Sequence, residues 1–237
     1  MDYVVLILTL LAGATAIIGD TWNKKKKGIK KLTITGWITT SIVILGFLVS
    51  FKSTYDKNNE RKIAQTMAAN EIDRHLKSLV HPFSILLWDI NNQSYDYSIG
   101  TIDLLLNQQN IDKIGDIDIR KKAPHYQGVF YILISKFHND GREGLDRVMR
   151  FYGNVIDSDV RILIQGLTNN FYYDSLVDLE RYKPTERDLN EENEFYPMPF
   201  RNIAGTGVGD DTWKFYKEHI QTIRKIKLLN DKLISDN

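Results

Sequence analysis

Two long apolar runs lie near the start of the chain and are separated by a short basic segment. Residues 3–19 (YVVLILTLLAGATAIIG) and 32–51 (LTITGWITTSIVILGFLVSF) contain no charged side chain. A helix rises about 1.5 Å per residue, so runs of this length cover most of a hydrocarbon core about 30 Å thick. The pattern therefore predicts two transmembrane spans, 3–19 and 32–51, which form a hairpin over residues 1–51.

A cleaved signal peptide is the main alternative for the first run. Such a peptide has a basic region before its apolar core and a small-residue cleavage site after it. Only Met1 and Asp2 precede the run, and the second apolar run follows after twelve residues. The hairpin explains both runs, and cleavage would still leave an anchored protein.

The segment between the spans, residues 20–31, predicts the orientation. It contains six lysines: Lys24, Lys25, Lys26, Lys27, Lys30 and Lys31. Basic loops stay in the cytoplasm, so this loop favours a soluble domain outside the cytoplasm. The bias is small, because four basic residues follow the second span: Lys52, Lys57, Arg61 and Lys62. We expect a multi-pass protein of the inner (plasma) membrane, in which the loop lysines contact anionic lipid headgroups and Trp22 and Trp37 lie at the interfaces.

After the spans, apolar residues follow the helical period. Residues from Ala68 to Phe83 recur every three or four positions, which predicts that the second span continues as a stalk helix. Pro82 predicts a kink or a new helix that reaches Ile90. Residues 52–90 are therefore predicted to be a stalk and connecting helix, and the spans and stalk together suggest a homo-oligomer.

Residues 91–237 predict an irregular α-helical soluble domain, so the fold class is mainly α. Helices are expected over about 98–108 and over 126–138, the second as a buried core helix. A turn at residues 139–141 is expected to precede a further short helix. One long helix or a broken pair is expected from Asp157 to Leu179, and a final helix from Trp213 onward. The isoleucines of residues 111–119 nearly alternate, and GDIDIR, residues 115–120, is predicted to be a short strand or an extended link. Residues 182–211 contain prolines and glycines without a sustained period, which indicates a long surface loop.

The aromatic segment FYPMPF lies in that loop. Its apolar residues are Phe195, Tyr196, Met198 and Phe200. If they are exposed, they form a docking loop for a protein partner; if they are buried, they form a lid over the helical core. The second interpretation is favoured, because loops of this length often pack through their own apolar residues.

Composition excludes several kinds of chemistry. The 31 basic and 30 acidic residues give a net charge of +1, which predicts no attraction for nucleic acid, and the absence of cysteine excludes disulfides and thiolate metal sites. The five histidines are scattered, without the i, i+4 spacing of a helical metal site. GTGVGDDT, residues 205–212, has glycines before a helix but lacks the Lys-Ser/Thr of a phosphate loop. We therefore predict no catalytic residue, cofactor or metal.

Two resemblances bear on function. KGIKKLTITGW, followed by a second span and a helical domain, resembles uncharacterised bacterial membrane proteins with two spans, and similar two-span modules occur as membrane effectors in antiphage systems. Arg120 and His125 have the Arg-X4-His spacing of HEPN ribonucleases, although Pro124 lies between them. The leading hypothesis is a membrane-anchored, non-enzymatic interaction or structural module. The alternative is a two-span effector or sensor whose soluble domain binds a ligand, and an anchored nuclease or hydrolase is the weakest hypothesis.

Overall fold

The computed structural model describes residues 33–123, 126–204 and 213–235, together with Ile7, Leu8, Leu11 and Gly13. Within these residues the protein is mainly α-helical, as predicted. The helices are α1 (Ile34–Asn91), α2 (Ile99–Leu105), α3 (Gln108–Asp116), α4 (Phe130–Tyr152), α5 (Ser158–Thr168), α6 (Phe171–Val177), α7 (Arg201–Ala204) and α8 (Lys214–Ser235). Short 3-10 turns cover Leu179–Tyr182 and Glu186–Asp188.

The chain divides into two compact units, residues 1–63 and 64–237. In the first unit, the start of α1 exposes large apolar side chains; Phe47 is 68% and Leu48 is 54% exposed. Among the described residues, α1 is the one helix long and apolar enough to cross a membrane. Most of the predicted first span and the whole basic loop, including Trp22, lie outside the described residues. Of the first span, Leu8 lies near α1: a Cβ added to Gly46 would be 3.8 Å from the Leu8 Cβ.

In the second unit, the remainder of α1 is the central core helix. Its fully buried apolar side chains are Leu76, Leu79, Val80, Phe83, Leu86 and Leu87. Of the two alternatives predicted at Pro82, the new helix does not form, because α1 includes this proline and ends only at Asn91. The apolar stripe of the predicted stalk is covered, from Ala68 onward, by the same chain.

Helix α4 packs closely against α1 through two glycines. A Cβ on Gly141 would overlap the Leu79 side chain, and a Cβ on Gly144 would overlap the His75 ring. The turn predicted at residues 139–141 does not form, and α4 continues to Tyr152. Glycine allows the two backbones to approach here, so the local turn signal is overridden by packing.

Capping residues fix most of the short helices. Ser98, Asn107, Asp157 and Asn170 each accept a backbone N–H at the start of α2, α3, α5 and α6. The predicted broken pair between Asp157 and Leu179 is confirmed as α5 and α6. The strand or extended link predicted for residues 115–120 is confirmed in part: the helix α3 reaches Asp116, but Ile117 is extended and Asp118 pairs with Pro199 in an isolated bridge.

We expect Gly141→Ala to destabilise the domain by about 1–3 kcal/mol, because the added methyl group overpacks the α1–α4 contact. Gly166→Ala is the matched control, since its Cβ would meet nothing within 4 Å on α5. That control should gain about 0.5–1 kcal/mol from the higher helix propensity of alanine. Chemical denaturation of the full chain in detergent, followed by circular dichroism, measures both. A Gly141→Ala variant as stable as wild type would contradict the close approach of α1 and α4.

Candidate functional site

Three buried polar side chains from different helices meet in the core of the second unit. They are His138 of α4, Tyr172 of α6 and His219 of α8, and we call them the histidine cluster. The His219 ring centroid lies 5.5 Å from that of His138 and 5.5 Å from that of Tyr172. Phe83 of α1 contacts both imidazoles, at 5.4 Å from His138 and 6.4 Å from His219. The cluster therefore lies where α1, α4, α6 and α8 converge.

The cluster contains an unusual concentration of unpaired polar atoms. Among the described residues, four buried side-chain atoms have no hydrogen-bond partner: Nε2 of His138, Nδ1 and Nε2 of His219, and Oη of Tyr172. Neighbouring hydroxyls are satisfied, since Tyr173 donates to the His138 carbonyl at 2.6 Å and Tyr216 donates to the Leu105 carbonyl at 3.2 Å. An unpaired buried polar atom costs about 1–3 kcal/mol, and native proteins contain few of them. The deficit is therefore a local property of this cluster.

All three members of the cluster are uncharged at neutral pH. Burial lowers the pKa of His138 to about 4. Burial, and then the proximity of His138, hold the pKa of His219 well below its usual value. Burial also raises the pKa of the Tyr172 hydroxyl well above its usual value. The cluster thus offers neutral donors and acceptors.

The tautomer of His138 follows from its one hydrogen bond. Its Nδ1 lies 2.8 Å from the carbonyl oxygen of Ile134. A carbonyl only accepts, so Nδ1 carries the proton and Nε2 is an unprotonated acceptor. The unpaired Nε2 of His138 therefore requires a donor.

A surface groove lies directly over the cluster, between α5 and α8. Its volume is about 480 Å³, and Tyr172 and His219 both line it. The remaining lining is mostly apolar, and Phe215 is 40% exposed at its surface. One exposed carboxylate, that of Glu218, also lines the groove. This groove is the candidate site. Its lining is mostly apolar, with one acidic side chain, and the uncharged polar side chains of Tyr172 and His219 lie at its base.

The aromatic segment predicted as a docking loop or a lid is buried at its C-terminal end and exposed at its N-terminal end. Phe200 is fully buried, and its N–H donates to the Ile117 carbonyl at 2.9 Å. Met198 is partly buried, whereas Phe195 and Tyr196 are 46% and 55% exposed. The C-terminal end of the segment therefore packs as a lid would, and the other end faces outward.

Arg120 holds this segment in place. Its Nε donates to the Tyr182 carbonyl at 3.1 Å, its Nη1 donates to the Tyr196 carbonyl at 3.3 Å, and its Nη2 lies 3.5 Å from an Asp188 carboxylate oxygen. The guanidinium is thus occupied in joining the two ends of the loop. His125, the second residue of the ribonuclease-like spacing, lies outside the described residues, as do residues 205–212.

Other predicted site residues are placed as follows. Trp37 lies in the apolar part of α1 and is 49% exposed. The six loop lysines lie outside the described residues. No group of three or more metal-ligating His, Asp or Glu residues occurs in the part of the chain that the structure describes.

Sequence analysis missed the histidine cluster because its members are far apart in the chain. A signal was present: His138 follows Ile134 by four positions, and His219 lies between Tyr216 and Ile223, so each histidine falls on the apolar face of its helix. Comparisons of the chain with protein-family models, curated proteins and solved structures find no match.

We expect the domain to lose stability as the pH falls from about 7 to 4. The unfolded histidines bind protons near pH 6.5, whereas burial delays protonation of His138 to about pH 4. The unfolded state therefore binds more protons in this window, and the free energy of unfolding falls by about 1.4 kcal/mol per buried histidine per pH unit.

His219→Leu tests this origin, because it removes two unpaired nitrogens and one titrating group. The variant should be about 1–3 kcal/mol more stable at pH 7, and its advantage should grow at pH 5. Denaturant titration of the full chain in detergent at both pH values provides the measurement. A variant that is less stable than wild type, with the same pH dependence, would contradict the unpaired and neutral state assigned to His219.

Proposed function

We propose that this protein is a non-enzymatic binding module anchored in the plasma membrane, which binds a ligand in the groove over the histidine cluster. The observation that carries the proposal is the presence of four unpaired polar atoms beneath an apolar surface groove. Sites that destabilise the protein in this way are typically retained for function.

The anchoring part of the proposal is supported by the first half of α1. Phe47 and Leu48 are exposed on a helix that meets the length and composition of a membrane span. Exposed apolar side chains of this density are favourable in lipid and unfavourable in water. The apolar run of residues 3–19 and the proximity of Leu8 to Gly46 favour a second span that pairs with α1.

The binding part is supported by the dimensions and chemistry of the groove. Its volume of about 480 Å³ lies within the range of small-molecule sites. The unpaired atoms of Tyr172 and His219 are shielded from solvent. We propose that these rings shift towards the groove on binding, so that a polar group of the ligand reaches them. An uncharged group with both a donor and an acceptor, such as a carboxamide, matches this neutral floor.

The absence of a catalytic role is proposed from the protonation states. The imidazole of His219 has a strongly lowered pKa, so it is a poor general base at neutral pH. The hydroxyl of Tyr172 has a raised pKa and holds its proton. Groups with these properties are suited to hydrogen bonding with a ligand rather than to proton transfer.

A second candidate, a two-span membrane sensor or effector, is favoured by one contact. Phe83 touches both imidazoles of the cluster and belongs to α1, the helix that also carries the apolar segment. A ligand that shifts the imidazoles would thus act on that helix. In an effector that senses a cytosolic signal, the domain lies in the cytoplasm, so topology separates the two candidates.

Binding in the groove is tested with benzamide as a neutral probe. Saturation-transfer NMR on the full chain in lipid nanodiscs should show binding to wild type and to Gly166→Ala. Gly166→Trp should abolish the signal, because Gly166 lines the groove and its side-chain direction is open. Equal signals from Gly166→Trp and wild type would place any binding elsewhere and contradict the proposed site.

Membrane anchoring is tested with Ile44→Arg, which places a charge in the middle of the apolar segment of α1. A central arginine costs about 2.5–3.5 kcal/mol on insertion, so the variant should be extracted from membranes by alkaline carbonate in larger amounts than wild type. Asn58→Arg, beyond the apolar segment, is the control and should remain in the membrane fraction. Complete extraction of the wild-type chain would contradict anchoring.

Orientation is tested with reporters fused after Asn237. The six-lysine loop predicts an extracytoplasmic domain, so an alkaline phosphatase fusion should be active. Activity only of a β-galactosidase fusion would exclude this orientation and support the sensor or effector.

A further inference from the structure

A second cavity in the domain, separate from the groove, has aromatic side chains at half of its described lining positions; Ser84, Ile85 and Ser94 line it as well. It lies at the end of α1 and has a volume of about 270 Å³. Its aromatic lining comprises His81, Trp88, Tyr95 and Tyr126. One carboxylate, that of Asp96, lines the same cavity, and the described part of the lining contains no lysine or arginine. This aromatic pocket therefore combines four aromatic rings with one carboxylate.

Two rings of the pocket, those of His81 and Tyr126, are held in place by packing. His81 and Tyr126 meet edge to face with centroids 6.0 Å apart, and both contact Phe137, at 4.8 Å and 6.1 Å respectively. Burial, with a further contribution from Lys77, lowers the pKa of His81, so this ring is uncharged at neutral pH. A neutral imidazole adds no positive charge to the pocket.

The loop that carries the carboxylate is also held. The Thr101 hydroxyl donates to the Asp96 backbone carbonyl, and Ser98 caps α2 immediately afterwards. Tyr95 accepts a hydrogen bond from the Asn91 side chain at 3.0 Å. Asp96 itself is exposed and is therefore available to a ligand that enters the pocket from solvent.

We infer that the aromatic pocket binds an organic cation with an alkylated ammonium group, of the choline type. Aromatic faces attract such cations through their quadrupoles, and a nearby carboxylate adds a charge interaction. An alkylated ammonium has few or no N–H donors, so it is recognised through the aromatic rings and the carboxylate. Of the two serines that also line the pocket, Ser84 already donates its hydroxyl to the His81 carbonyl at 2.8 Å. The volume exceeds that of a trimethylammonium head, and an anion would face Asp96.

The test compares choline with 3,3-dimethyl-1-butanol, its uncharged carbon isostere. Titration calorimetry uses the full chain in nanodiscs of phosphatidylglycerol, which has no choline headgroup. We expect saturable choline binding that is at least about fivefold tighter than binding of the isostere. Equal affinity for the two compounds, or no saturable choline binding, would overturn the inference.

Two exposed positions locate the site without a change to the core. Asp96→Asn and Tyr126→Ala should each weaken choline binding about three- to tenfold, whereas Glu143→Gln, an exposed carboxylate outside the pocket, should leave it unchanged. Unchanged affinity in both pocket variants would place choline elsewhere and overturn the assignment.

The source of the cation is resolved by the lipid. In nanodiscs that contain phosphatidylcholine, weaker apparent choline binding shows that the lipid headgroup competes for the pocket, and unchanged binding shows that the pocket takes the free solute. Both results support the cation site. Choline binding that survives Gly166→Trp also separates this pocket from the groove, so failure of one site leaves the other intact.

Discussion

The burial of one helical segment, residues 68–87 of α1, is the constraint on which the rest of the domain depends. The side chains of Leu76, Leu79, Phe83 and Leu87 are inaccessible to solvent, and burying each contributes about 1.5–3 kcal/mol relative to exposure.

The other helices contact this segment in two ways. Helix α4 packs against it through glycines, whereas α8 makes polar contacts with it: the Asn230 side chain donates to the Ala69 carbonyl at 2.7 Å, and Lys227 Nζ lies 2.7 Å from Asp73 Oδ1. Both candidate binding sites share it as well, because Phe83 backs the histidine cluster and α1 supplies one wall of the aromatic pocket.

Much of the helical content follows from the hydrophobic period alone. The stripe from Ala68 to Phe83 predicts α1, and the positions of Tyr216, Ile220 and Ile223 predict α8, because each places its apolar residues on one face that the core then covers. Two local signals misled for a physical reason. Pro82 interrupts a helix in isolation, and Asn-Asp-Gly favours a turn, but the packing of α1 against α4 stabilises the continuous helices by more than these preferences oppose them.

The candidate sites were less predictable because their residues converge only in three dimensions. His138 and His219 are 81 positions apart, and neither has a motif around it; only the fold shows that their rings are neighbours. Likewise, Arg120 was notable in the sequence for its spacing from His125, whereas the structure gives it three partners in a distant loop. Composition gave two further predictions: a chain without cysteine has no thiolate site, and a net charge of +1 favours no binding to nucleic acid.

We propose that α1 is a single helix whose apolar first part faces lipid and whose second part is buried in the domain. Hydrogen–deuterium exchange of the full chain in lipid nanodiscs, measured by mass spectrometry, tests it most directly. Slow exchange is expected over residues 34–51, where lipid excludes water, and over residues 68–87, where the core does; the exposed turns between, within residues 52–63, should exchange faster. Exchange over residues 68–87 as rapid as that of the exposed segment 190–196 would contradict the account.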